Sequence, residues 1–287
     1  MRGGLIGLLL AGLSWTWAQP ANAQELVHFP SLDKQATQIS GYLYAAPGPG
    51  RHPALVFMHG CGGLLNKAGT PEKRAVAWAR RFNDLGATVL MVDSFTARNQ
   101  GGMCAPANFS ASVFDARPYD AYGALRYLQA RADIRPDRVG LMGWSQGGGA
   151  VLNTIRASSP ARLSAATQGE SFRAAVAFYP ASCSRKRQDG AWTSPVPLLV
   201  LLGGKDVWIP RDACEYLLKH AESGTQVSLH VYESAYHDFD WPGLKVRARP
   251  AFRTRSGVVP ITGMDPDARA DALDRVPQFF KPYLLEP

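Results

Sequence analysis

The sequence predicts an α/β fold: a mostly parallel central sheet with helices on both faces. Three observations carry this expectation. Continuous apolar runs recur at 54–58, 87–92, 138–142, 174–179 and 198–202, and such runs suit strands buried on both faces, the habit of parallel sheets. Helix-like segments fall between them, at 71–85, 119–131, 146–157, 210–221 and 266–284, and that alternation implies βαβ units with right-handed crossovers. The 287 residues are 46% hydrophobic, which is enough to cover a sheet of this size.

In chain order, the first segment stands apart from the fold. Arg2 precedes an apolar run at 5–13, and Ala21-Asn22-Ala23 offers small residues at cleavage spacing. Residues 1–23 therefore read as a secretory signal peptide, since a membrane span needs about 20 apolar residues. The expected mature chain is one domain over 24–287, exported to a periplasm or beyond, with no stable membrane insertion. Alternation over Gln38–Tyr44 predicts an outer strand, and 227–231 a last one. In the helix at 119–131, Ala121, Ala124, Leu125 and Leu128 form a stripe assigned to the core. Two connections are long: 99–115, which holds Cys104, and 241–264, rich in proline and glycine. Loops of that length in a compact domain are functional or mobile.

Export gives the four cysteines a meaning. An even count in an oxidising compartment favours disulfides, although three connectivities are open. Cys61–Cys104 and Cys183–Cys214 are favoured, because each pair joins connections that leave neighbouring strands at the same sheet end. No C-x-x-C or H-x-x-x-H spacing supports a metal site, and no cofactor is called for. The formal charge of +8 is concentrated partly in Arg247, Arg249, Arg253 and Arg255. It reads as a solvated basic loop or an attractor for anions, and no nucleic-acid motif accompanies it.

The chemistry begins at Gly143-Trp144-Ser145-Gln146-Gly147, where a predicted strand runs into a predicted helix. A sharp turn there lifts the Ser145 hydroxyl clear of the sheet, with glycines two before and two after to relieve crowding. A serine at its free pKa is a weak nucleophile, so it needs a base, and the base needs an orienting acid. Both follow in chain order. The run at 198–202 ends in Gly203-Gly204-Lys205-Asp206, and His237 follows the last strand in Ser234-Ala235-Tyr236-His237-Asp238-Phe239. Asp212 and Asp189 are weaker acids because neither ends a buried strand. His59-Gly60-Cys61-Gly62-Gly63 follows an early strand and supplies a loop for oxyanion donors. The N–H groups of Cys61 and Gln146 are the candidates, with His59 bracing the turn. Trp144, Trp208, Tyr236 and Trp241 neighbour these residues in sequence and are candidates for a substrate cleft, with Arg98 for a substrate carboxylate.

These motifs together resemble the dienelactone hydrolase family of α/β-hydrolases, in an exported branch with a serine nucleophile. The resemblance rests on the stretches around His59, Val92-Asp93-Ser94-Phe95, Ser145, Gly204-Lys205-Asp206 and His237, and on a closing helix from Asp265. It implies the α/β-hydrolase fold and a metal-free hydrolase acting on a small-molecule ester or lactone. The founding members use a cysteine nucleophile, so serine at 145 implies serine-esterase chemistry and leaves the substrate to the pocket. Acyl transfer, peptide cleavage and a silent binding role are the competing expectations.

Overall fold

The structure, a computed structural model, describes residues 24–166, 169, 171–183, 192–209, 211–221 and 224–286. The expected signal peptide lies outside these residues, as do Asp189 and Pro210. Eight strands form one sheet: β1 (Gln24–Pro30), β2 (Gln38–Tyr44), β3 (His52–Met58), β4 (Thr88–Asp93), β5 (Ile134–Trp144), β6 (Ala175–Phe178), β7 (Leu198–Gly203) and β8 (Val227–Tyr232). Their order is β1-β2-β4-β3-β5-β6-β7-β8. β1 runs antiparallel to β2 and β2 antiparallel to β4. From β4 to β8 every pairing is parallel.

Strand alternation assigns residues to the two faces. Val56, Met58, Leu141, Ala177 and Val200 face a core shared with α2 (Ala111–Gln129), α3 (Gln146–Ile155) and α5 (Arg211–Lys219). Their neighbours Leu55, Phe57, Met142, Trp144, Phe178 and Leu201 face α1 (Lys73–Asp84) and α6 (Pro266–Phe280) on the other side. Full burial of each such large side chain contributes about 1.5–3 kcal/mol. Among the described residues, no helix is long and apolar enough to cross a membrane.

Several elements differ from the sequence expectation. β1 was not anticipated, because only Val27 and Phe29 are buried among its seven residues and the alternation is too short to register. A short helix, α4 (Pro160–Ala166), was also missed. α2 begins at Ala111, eight residues before the expected start, and contains Pro118. The Ser110 hydroxyl caps it by accepting from Val113 N at 3.3 Å. A proline removes one donor but does not compel a boundary when the flanking turns are held by packing. The connection from 99 is correspondingly shorter. After α6 the chain closes in a single wide turn, Lys281–Leu285, against the middle of β5, with Arg138 donating to Leu284 O at 3.4 Å.

Two disulfides are present. Cys61–Cys104 (Cα–Cα 4.9 Å) ties the turn after β3 to the connection after β4. Cys183–Cys214 (4.8 Å) ties the connection after β6 to α5, so Cys214 sits in a helix rather than a loop.

Candidate active site

Ser145 stands between β5 and α3 with φ 52° and ψ −115°. A serine in this region is strained, a cost of about 1–3 kcal/mol that neighbouring structure must hold in place. The restraints are visible. Ser145 N donates to Phe178 O at 3.0 Å, and Ser145 O accepts from Ala181 N at 2.9 Å. Gly147 is required because a Cβ there would overlap the carbonyl oxygens of Met58 and His59, and one on Gly143 would overlap the Gly147 carbonyl. Crowding therefore falls on backbone carbonyls, two of them at the end of the neighbouring strand β3, rather than between the two Cβ positions.

Asp206 follows the glycine turn at the end of β7. Its Oδ1 accepts from Trp208 N at 2.8 Å and Ile209 N at 3.0 Å, which fixes the carboxylate. Its Oδ2 accepts from His237 Nδ1 at 2.7 Å, and the two side chains are 2% and 1% exposed. The loop bearing His237 can pass this close because Gly203 has no side chain. A Cβ there would lie 2.6 Å from Ala235 O. Burial pulls the His237 pKa down, but the charge and hydrogen bond of Asp206 and the charge of Asp238 outweigh it, with Arg74 opposing. The net shift is upward. Among the described residues, no hydrogen bond joins Ser145 Oγ to His237, as is common before substrate tightens such contacts.

The turn after β3 passes directly beside the serine: a Cβ on Gly60 would lie 3.8 Å from Ser145 Cβ. His59 Nδ1 donates to Gly60 O at 2.7 Å, and Gly63 N to the same oxygen at 3.3 Å. Cys61 O accepts from Met103 N at 2.7 Å. Cys61 is thus held by a backbone bond and a disulfide, with Gln146 opening α3 on the other side of Ser145. Burial, together with the charge of Arg117, keeps the His59 imidazole well below its ordinary pKa and therefore neutral.

A cavity of about 520 Å³ opens beside Gln146, walled by Met103 and Phe109 on one side and Trp208 and Phe252 on the other, with Arg255 at its edge. Trp208 stacks on Phe252 (5.6 Å between centroids) and lies 4.9 Å from the His237 ring. Both long connections from the sequence therefore reach the cavity, the later one through a small hairpin of β9 (Arg247–Ala248) and β10 (Ile261–Thr262).

Of the five residues expected in a substrate cleft, Trp208 alone lines this cavity. Trp144 is fully buried, because as the last residue of β5 it alternates onto the α1 face. Arg98 is spent on Asp120 (2.8 Å) and Asp33 (3.0 Å), so a substrate carboxylate would have to displace two existing ones. Tyr236 lies under Lys205, and Trp241 under the Arg74 guanidinium at 4.5 Å. Phe109 and Phe252 were not anticipated as lining, and neither was a cluster of buried Arg74, Tyr179 and Asp240 with half-buried Asp238 behind the histidine. The repeated pairing of acid and aromatic in Asp238-Phe239-Asp240-Trp241 was the available signal.

The family model described as the dienelactone hydrolase family matches residues 39–284. A Bradyrhizobium sp protein provisionally named a 2-oxo-3-(5-oxofuran-2-ylidene)propanoate lactonase is 30% identical over 129 residues, 42% of this chain. The chain spans less than half the length of the curated relatives it matches, 47% of that protein and 36% of another. Among solved structures, esterase 2 of Thermogutta terrifontis, phosphoramylated by tabun, superposes with a TM-score of 0.61 at 17% identity, covering 95% of this chain and 100% of that one. MGS-M1, an α/β-hydrolase from a Medee basin deep-sea metagenome, gives 0.61 at 15% identity over 92% and 98%. The fold is that of the α/β-hydrolases.

Proposed function

The chain belongs to the dienelactone hydrolase family, and from that premise we propose that residues 24–287 form one exported hydrolase domain cleaving a carboxylic ester or lactone through Ser145, His237 and Asp206. The observation that carries this reading is the buried 2.7 Å bond between His237 Nδ1 and Asp206 Oδ2 beside a serine held at positive φ. That bond leaves Nε2 as the basic nitrogen and stabilises the imidazolium that forms when it takes a proton.

In the first half-reaction Ser145 Oγ attacks the carbonyl carbon while its proton passes to His237 Nε2. The oxyanion is held by the N–H groups of Cys61 and Gln146, each such donor contributing about 3–4 kcal/mol in comparable sites. As the intermediate collapses, the bond to the leaving oxygen breaks and His237 returns the proton to that oxygen. In the second half-reaction His237 activates water, which releases the acid and regenerates the serine. Apolar walls at Phe109, Trp208 and Phe252 suit an acyl or alcohol group with a flat or bulky apolar part. Export is supported by the two disulfides and by the sequence of residues 1–23, which lie outside the described part of the chain.

The test is turnover of a panel of short-chain aryl esters and lactones by the mature protein beside Ser145→Ala, with fluorophosphonate labelling of both. Activity and labelling lost together in the variant support the reading. Folded wild type that neither turns over nor labels would count against hydrolysis and in favour of a binding role.

A further inference from the structure

Behind the histidine lies a carboxylate that the reaction does not consume. Asp240 is 1% exposed, and its two oxygens take three donors from three different elements. Oδ2 accepts from Trp78 Nε1 on α1 and from Trp144 Nε1 at the end of β5, each at 2.8 Å. Oδ1 accepts from the Tyr179 hydroxyl, just past β6. Burial without partners would cost such an anion several kcal/mol, whereas hydrogen bonds to a charged acceptor are the stronger ones. Trp144 is the residue before Ser145, and Asp240 lies three after His237. Tyr179 follows the residue whose carbonyl holds Ser145 N, and its ring lies 4.4 Å from the His237 ring. The Tyr179 hydroxyl also accepts from Arg74 Nη1 at 2.8 Å, and the same nitrogen donates to Asp238 Oδ1 at 2.8 Å. The hydrogen-bonded route from Trp144 to the histidine loop therefore runs through Asp240, alongside ring packing of Trp144 on Phe178 and of Phe178 on Phe239.

We propose that Asp240 is a positioning residue for the hydrolytic reaction: through Trp144 and Tyr179 it fixes the strand carrying Ser145 and the loop carrying His237 against each other. The proposal rests on the serine-hydrolase reading of the site. Reacting groups must be held near attack geometry, and a shift of about 1 Å can lower the rate on the order of 100-fold. Trp208 constrains the histidine from the cavity side; Asp240 and Tyr179 do so from the core side. Tyr179 remains protonated and able to donate, because burial and Asp240 raise its pKa more than Arg74 lowers it.

Asp240→Asn isolates this role. Its remaining oxygen can still serve both indoles, but its amide nitrogen cannot accept the Tyr179 proton: the hydroxyl, which already accepts from Arg74, would have to accept a second time while its own proton loses its acceptor, so the link is weakened. Tyr179→Phe breaks the same link from the other end and leaves Asp240 its two indole donors. We expect each variant to lower kcat for an aryl ester by about 10- to 100-fold with KM within about twofold. The fluorophosphonate labelling rate should fall in parallel, and the double variant should be no slower than the worse single one. Thermal melts confirm that folded protein is compared, and if Asp240→Asn fails to fold, Tyr179→Phe carries the test. Wild-type kcat in folded variants, with only the melting temperature lowered, would overturn the positioning role alone. A wild type that neither turns over nor labels would overturn the hydrolase reading and this role with it.

Discussion

At the scale of single residues, His237 is the group whose environment makes the most specific demand. A general base works only when neutral, and a raised pKa keeps it protonated to higher pH. The acid limb of kcat/KM should therefore lie above the 6.5 of an unperturbed histidine. Asp206→Asn removes the largest contribution that raises it and leaves the opposing burial, so the limb should move to lower pH. In the same variant kcat should fall on the order of 10³–10⁴-fold through loss of the oriented tautomer. A limb that stays in place would show that Asp206 is not the partner controlling the base. The placing of Ser145, Asp206 and His237 after β5, β7 and β8 was legible in the sequence, because strand ends can be seen in hydrophobic runs. Trp144 was placed in the cleft on nearness in sequence, which says nothing about which face of a strand a side chain enters; Arg98 was offered as a cation for a carboxylate, and its two ion-pair partners come from positions 33 and 120. The role of Asp240 was not legible, since its partners come from positions 78, 144 and 179.

At the scale of elements, the junction of β3, β5 and α3 is the least forgiving part of the fold. Gly147 sits where α3 presses on the end of β3, and its would-be Cβ meets backbone oxygens that cannot rotate aside. Gly147→Ala should cost about 1–3 kcal/mol of stability or more. Gly62→Ala, three residues after His59 but facing open space, should be nearly neutral. Urea unfolding separates the two: a lowered midpoint with unchanged slope is expected for the first and not the second. Equal midpoints would mean that the turn after β3 can retreat. The parallel strands were legible as continuous apolar runs, whereas α2 was cut short because Pro118 resembles a boundary until the cap at Ser110 is seen. The edge strand β1 buries too little to announce itself.

At the scale of the whole molecule, the sheet supplies the core and the disulfides restrain what the sheet leaves loose. The Cys61–Cys104 bridge spans 43 residues and crosses from the turn after β3 to the cavity wall. Replacing both cysteines by serine should lower the unfolding free energy by about 2–5 kcal/mol, read by denaturant titration. Peptide mapping without reduction should recover the two cysteine peptides linked, and free thiols would count against the pairing.

The antiparallel start of the sheet has a practical consequence. Gln24 pairs with Tyr44, which lies level with Val89 near the start of β4, and at the other end of the chain Leu284 packs against Gly140 low on β5. Both ends of the described residues therefore leave from one pole, while the turns after β3, β5 and β7 gather at the opposite one. A tag, fusion partner or solid support joined at Gln24 or beyond Leu284 will hold the domain with its cavity turned outward, open to whatever diffuses past.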